Sequence, residues 1–167
     1  MDLDYVDKEL ISQLFHNGRQ SLKSMKIEVI KSELQEVSQS GIGKRFKRLK
    51  NNKIIEVQGN LSISNLKYHS AFIFTQIKTN NSLNELIEIY SKCRKIFLLA
   101  RISGQYNLLV GIVGEDMDKL HWFINHCGPG NQVEVAHSEV LFVSKFSLPE
   151  FMPIDFFNSG VDSKVDK

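Results

Sequence analysis

Apolar residues recur every three or four positions near the start of the chain and every second position further on, so the two halves call for different elements. Val6, Leu10 and Leu14, with Ile11 and Phe15 beside them, form a helical stripe. The pattern predicts a helix over 4–17, with Asp4 as N-cap, Asp7 in the first turn where negative charge suits the helix dipole, and Gly18 as the stop. Over 21–36, Met25, Val29, Ile30 and Leu34 fit either one bent helix or two short ones. Ser38-Gln39-Ser40 then reads as a turn that caps a third helix running to Asn51, with Ile42, Phe46 and Leu49 inward. Gly41 and Gly43 lie in its first turns, where they permit close backbone approach or mark a fraying start.

Asn51-Asn52 punctuates the helix end. Ile55, Val57, Leu61 and Ile63 alternate loosely, as an extended linker does, and 65–69 reads as a connector. The segment 71–77 is a strand by composition. A helix follows a cap at Ser82, with Leu83, Leu86, Ile87 and Tyr90 inward. Strands are predicted over 96–102 and 106–113 around a tight turn at 103–105. A helix over 116–126, with Met117, Leu120, Phe123 and Ile124 inward, a loop at 127–131 and a strand over 133–145 complete the order β-α-β-β-α-β, the ferredoxin-like arrangement. Helices then cover one face of an antiparallel sheet and leave the other to a partner. The predicted class is α+β: a helix-turn-helix, winged-helix-like unit over 1–53, a linker over 54–69, a βαββαβ oligomerisation and effector domain over 70–146, and a tail over 147–167. In the tail, Phe151, Met152, Phe156 and Phe157 are too apolar for water and are expected on the sheet or on a neighbouring subunit.

Charge sharpens this division. The 167 residues carry 21 Lys/Arg against 19 Asp/Glu. Residues 1–60 hold 11 basic against 8 acidic side chains, and residues 61–167 hold 10 against 11. Six cations and no acid lie between Lys44 and Lys53. A positive stripe of that density attracts polyanions, nucleic acid first; the plain alternative is a solvated lysine-rich face. Three short helices with such a stripe fit a helix-turn-helix, whose second motif helix enters the major groove. No apolar run reaches membrane-spanning length, and MDLDYVDKEL is no secretory signal, so a cytoplasmic protein is expected.

The segments LDYVDKELISQLFHNGR, SQSGIGKRFKRLKNNKIIE and ISGQYNLLVGIV, in this order and spacing, resemble the Lrp/AsnC (leucine-responsive, feast/famine) family of prokaryotic transcription regulators across residues 2–146. The resemblance implies sequence-specific binding to double-stranded promoter DNA. It also implies homodimers formed through the α/β domain that often associate further. An amino acid or related metabolite would bind near Gly104, Gln105, Tyr106 and Asn107. Asn107 stands where the family carries an acid, and a neutral amide hydrogen-bonds an ammonium without opposing its charge.

Ser38, Gln39 and Ser40 at the helix start suit base or phosphate contacts as well as capping. Lys44, Arg45, Lys47 and Arg48 suit phosphates. Tyr106 suits either a ligand or strand packing. Cys93 and Cys127 match no zinc or redox spacing, and His121 and His126 are five apart, so no metal and no cofactor is expected. Glu115, Asp116 and Asp118 are ordinary first-turn acids. No nucleophile–base pair or phosphate-cradling loop is legible, so no enzyme is predicted. The competing reading is a ligand-sensing or assembly protein of the same fold that does not bind DNA specifically.

Overall fold

The computed structural model describes residues 2–25, 38–131, 134–147, 149 and 152. The expectations for Val29, Ile30, Leu34, Phe151, Phe156 and Phe157 lie outside the described residues. The chain divides between Gln58 and Gly59 into two compact units.

The first unit opens with α1, Tyr5–His16. Asp4 caps it in a reciprocal box: the Asp7 amide donates to Asp4 Oδ1 at 2.9 Å, and the Asp4 amide donates to Asp7 Oδ2 at 3.3 Å. The C-cap is Asn17 rather than Gly18. A helical turn at 22–25 carries the buried Met25. Helix α2, Gln39–Asn51, begins at Ser38, whose Oγ accepts from the Gly41 amide at 3.1 Å. Val6, Leu10, Met25 and Ile42 form the core, with Leu14 against it. Two expected core residues differ. Phe46 is only half-buried, and Phe15 is 87% exposed. At about 100° per residue Phe15 lies opposite Val6. The inward position goes to Gln13, which is buried and bonds Glu9 and Gln20. The stripe is therefore narrower than apolar character alone indicates.

The second unit is a four-stranded antiparallel sheet in the order β2-β3-β1-β4. Its elements are α3 (Ile63–Leu66), β1 (His69–Ile77), α4 (Asn80–Tyr90), β2 (Ile96–Arg101), β3 (Leu108–Gly114), α5 (Met117–His126) and β4 (Val135–Val143). The β-α-β-β-α-β order stands as read from the periodicity. The N-cap of α4 is Thr79, not Ser82; Ser82 is the residue whose amide Thr79 caps. The expected strand start at Tyr106 moves to Leu108, because Asn107 ends the turn through bonds described below.

Ala71, Ile73 and Ile77 of β1, with Leu108, Val110 and Ile112 of β3, face the helices and pack on Leu83, Leu86, Tyr90, Leu120 and Phe123. Alternation turns Phe72 and Phe74 to the other face, where Phe72 pairs with Gly111 on one side and Leu141 on the other. A Cβ on Gly111 would lie 2.8 Å from Phe97 Cζ, so that face has no room for a side chain there. The linker and tail seal one end of it. Leu61 and Met152 exchange backbone bonds at 2.8 and 2.9 Å, and Ile63 and Met152 pack with Val113. The expected plain connector at 65–69 is in part the short helix α3. In the same cross-strand row as Gly111 and Phe72, Leu98 and Leu141 remain 37% and 48% exposed.

Candidate nucleic-acid interface and the Gly104 turn

Ile42 and Leu49 turn one side of α2 inward and are fully buried. Ser40, Lys44, Lys47 and Asn51, spaced i, i+4, i+7 and i+11, therefore share the opposite side, and all four are exposed. Ser38 and Gln39 are exposed at the helix start. Ser38 performs its capping role, and its Oγ also lies 3.0 Å from the Ser40 Oγ. The outward side of α2 thus presents short polar groups at its N-terminus and lysines along its length.

Arg45 and Arg48 stand apart from this stripe. Arg45 Nη1 donates to Asp7 Oδ1 at 3.1 Å and also to Asp4 Oδ2, while Arg48 Nη2 donates to Asp7 Oδ2. The Asp7 side chain is 1% exposed, against 28% for Arg45 and 44% for Arg48. A carboxylate so deeply buried requires paired, hydrogen-bonded countercharge. The Arg45 guanidinium, followed by the Asp7 amide, holds the Asp4 carboxyl below its ordinary value. The same bond to Asp4 raises Arg45. The sequence reading assigned both arginines to phosphate, Asp4 to the cap and Asp7 to the helix dipole; the structure keeps the cap and joins the two pairs. The available signal was a capping Asp and its box partner on one helix, with two arginines three apart on another.

At the β2–β3 turn, Gly104 takes φ +125, a conformation that favours glycine. Gly104 and Gln105 are exposed. The Tyr106 hydroxyl donates to Glu139 Oε2 at 2.8 Å, which raises its pKa, and its ring stacks on His137 with centroids 5.9 Å apart. Glu139 and His137 had no role in the sequence reading, because only strand register brings β4 beside the turn. Asn107 differs most from expectation. Its Oδ1 accepts from the Ile77 amide and its Nδ2 donates to the Ile77 carbonyl, both at 2.8 Å, and its own amide donates to the Thr75 carbonyl at 3.1 Å. The side chain thus mimics a ladder pair at the end of β1, and its amide is engaged by the fold rather than offered to a ligand.

Among the described residues no three His, Cys, Asp or Glu side chains cluster as a metal site, and no helix is long and apolar enough to cross a membrane.

No protein-family model matches this sequence, and no curated protein does. Solved structures do. E. coli AsnC superposes with a TM-score of 0.72 at 17% identity, over 89% of this chain and 96% of its own. LrpC of B. subtilis gives 0.66 at 20% identity, over 87% and 97%. A Neisseria meningitidis transcriptional regulator, solved as its L-Met complex, gives 0.70 at 22% identity, over 86% and 91%. At these identities the likeness is one of architecture, and it runs through both units in order. The chain has the fold of the Lrp/AsnC transcription regulators.

Proposed function

We propose that the chain is a sequence-specific DNA-binding transcription regulator of the Lrp/AsnC type, with a helix-turn-helix reader before a ferredoxin-like domain. The carrying observation is the exposed stripe of Ser40, Lys44, Lys47 and Asn51 on a helix whose opposite side is anchored by Ile42 and Leu49. Such a stripe presents polar groups to base edges at the helix start and cations to the backbone along its length. Ser38, Gln39 and Ser40 take the base-proximal role and Lys44 and Lys47 the phosphate role. Arg45 and Arg48 join them only in so far as their unpaired N–H groups reach the duplex. The test is duplex binding across a salt series. A log–log slope of about −0.9 per neutralised phosphate is expected. Binding that does not weaken with salt overturns the reading.

The apolar sheet face around Phe74, Leu98 and Leu141 supports a homodimer closed through this domain, with dimers associating further. The Gly104 turn, through Gly104, Gln105 and the Tyr106 ring, supports a small-molecule effector, and the L-Met bound to the N. meningitidis regulator makes amino acids the first compounds to try. Calorimetry across the amino acids tests this; absence of heat with all of them leaves the turn an assembly element.

A further inference from the structure

The Asp7 carboxylate is the only fully buried charged side chain among the described residues of the first unit, and both of its oxygens point at arginines of α2. Arg45 and Arg48 are one turn apart on α2, so two bonds to one carboxylate fix the rotation of that helix about its axis as well as its position. Ile42 and Leu49 agree with this rotation, and together they turn Ser40, Lys44, Lys47 and Asn51 outward.

The same bonds set which cations are free. Six lie between Lys44 and Lys53, but two of them share the charges of Asp4 and Asp7. The two acids hold them unequally. Asp4 is 51% exposed, so water readily replaces Arg45 there. Asp7 is buried, and removing both arginines would leave an uncompensated charge in the interior, which is strongly unfavourable. A DNA phosphate competes easily with Asp4 and poorly with Asp7.

We propose that Asp7 is a specificity-determining positioning residue: its buried carboxylate withholds Arg45 and Arg48 from DNA phosphates and aims α2 so that the duplex meets Ser40, Lys44, Lys47 and Asn51. This rests on the DNA-reading function above. Charge that binds any phosphate backbone raises non-specific affinity without discrimination. Holding two arginines internally lowers that background while the outward stripe is retained.

The test uses the full chain with two probes: a pool of random-sequence duplexes, and the duplex that the parent protein enriches from that pool. Asp7→Asn keeps the shape and one accepting oxygen and removes the charge. The expected result is tighter binding to the random pool and a salt slope steeper by about 0.9 for each arginine released. Preference for the enriched duplex over the pool should fall about tenfold, which corresponds to about 1.4 kcal/mol. Asp4→Asn serves as the second variant, because Asn caps a helix as well as Asp does. It should steepen the slope by no more than one phosphate and leave the preference nearly intact. Circular dichroism monitors folding, and loss of fold lowers binding rather than steepening its salt dependence. If Asp7→Asn does not fold, Arg48→Gln decides, because Asp7 then keeps Arg45: an unchanged salt slope supports the withholding of Arg48, and a slope shallower by about 0.9 overturns it. A parent that binds with normal salt dependence beside folded variants of unchanged slope and preference overturns the positioning role alone. A parent that binds neither probe overturns the DNA reading and this inference with it.

Discussion

The two units join their elements with opposite polar chemistry. In the first, a buried carboxylate ties α1 to α2 through two guanidinium groups beside a small apolar core. In the second, a neutral amide, Asn107, ties the β2–β3 turn to the end of β1, beside a core of eleven buried residues. A small helical core leaves helix rotation underdetermined, because an apolar stripe can roll by tens of degrees at little cost. A charged pair with fixed geometry removes that freedom. A sheet has its register set by ladder bonds and alternation already, so a neutral group that completes the ladder suffices.

The contrast breaks most sharply if the charge partners are removed. Arg45→Ala with Arg48→Ala strands Asp7, and the first unit should lose about 3–5 kcal/mol, measured by urea unfolding with circular dichroism. The sequence reading gave both arginines to phosphate; a double variant as stable as the parent would restore that view and remove the joint.

Ile42→Ala empties the same joint of its apolar component and should cost about 2–5 kcal/mol. Duplex binding should vanish while the sheet signal remains. Simultaneous loss of both signals would show that the units unfold as one.

In the second unit, Asn107→Asp removes the bond to the Ile77 carbonyl and sets a carboxylate against that oxygen. Losing this half-buried bond costs up to about 1–3 kcal/mol, the figure for a fully buried one, so the variant should unfold at lower urea. Tighter amino-acid binding with unchanged stability would instead return Asn107 to the effector site.

The smallest effect is in pH. Asp4 lies below its ordinary 3.8 because of its bond to Arg45. A lowered folded-state value contributes stability that is complete above the unfolded value and is lost as pH falls through the folded one. The first unit should therefore weaken as pH drops below about 4, and Asp4→Asn should flatten part of that slope. Equal slopes in parent and variant would leave the Arg45–Asp4 bond without a stabilising role.

Element order, the inward faces of α4 and α5, the cap of α1 and the basic stripe were all legible in the chain, because each depends on residues within one or two turns of one another. Gly104 was legible too, since a tight turn that demands positive φ favours glycine. Periodicity carries that much: it tells which side of an element is apolar and where charge accumulates. It does not tell what a polar side chain meets across the fold. Asp4 and Asp7 lie about forty positions from Arg45 and Arg48, and Tyr106 lies 33 from Glu139. The tertiary structure decided that the arginines face inward to a carboxylate and the lysines outward, that Asn107 completes a ladder, and that Gln13 displaces Phe15 from the core. The physical reason is common to all three: a buried polar group is placed by its partner, and the partner comes from another element.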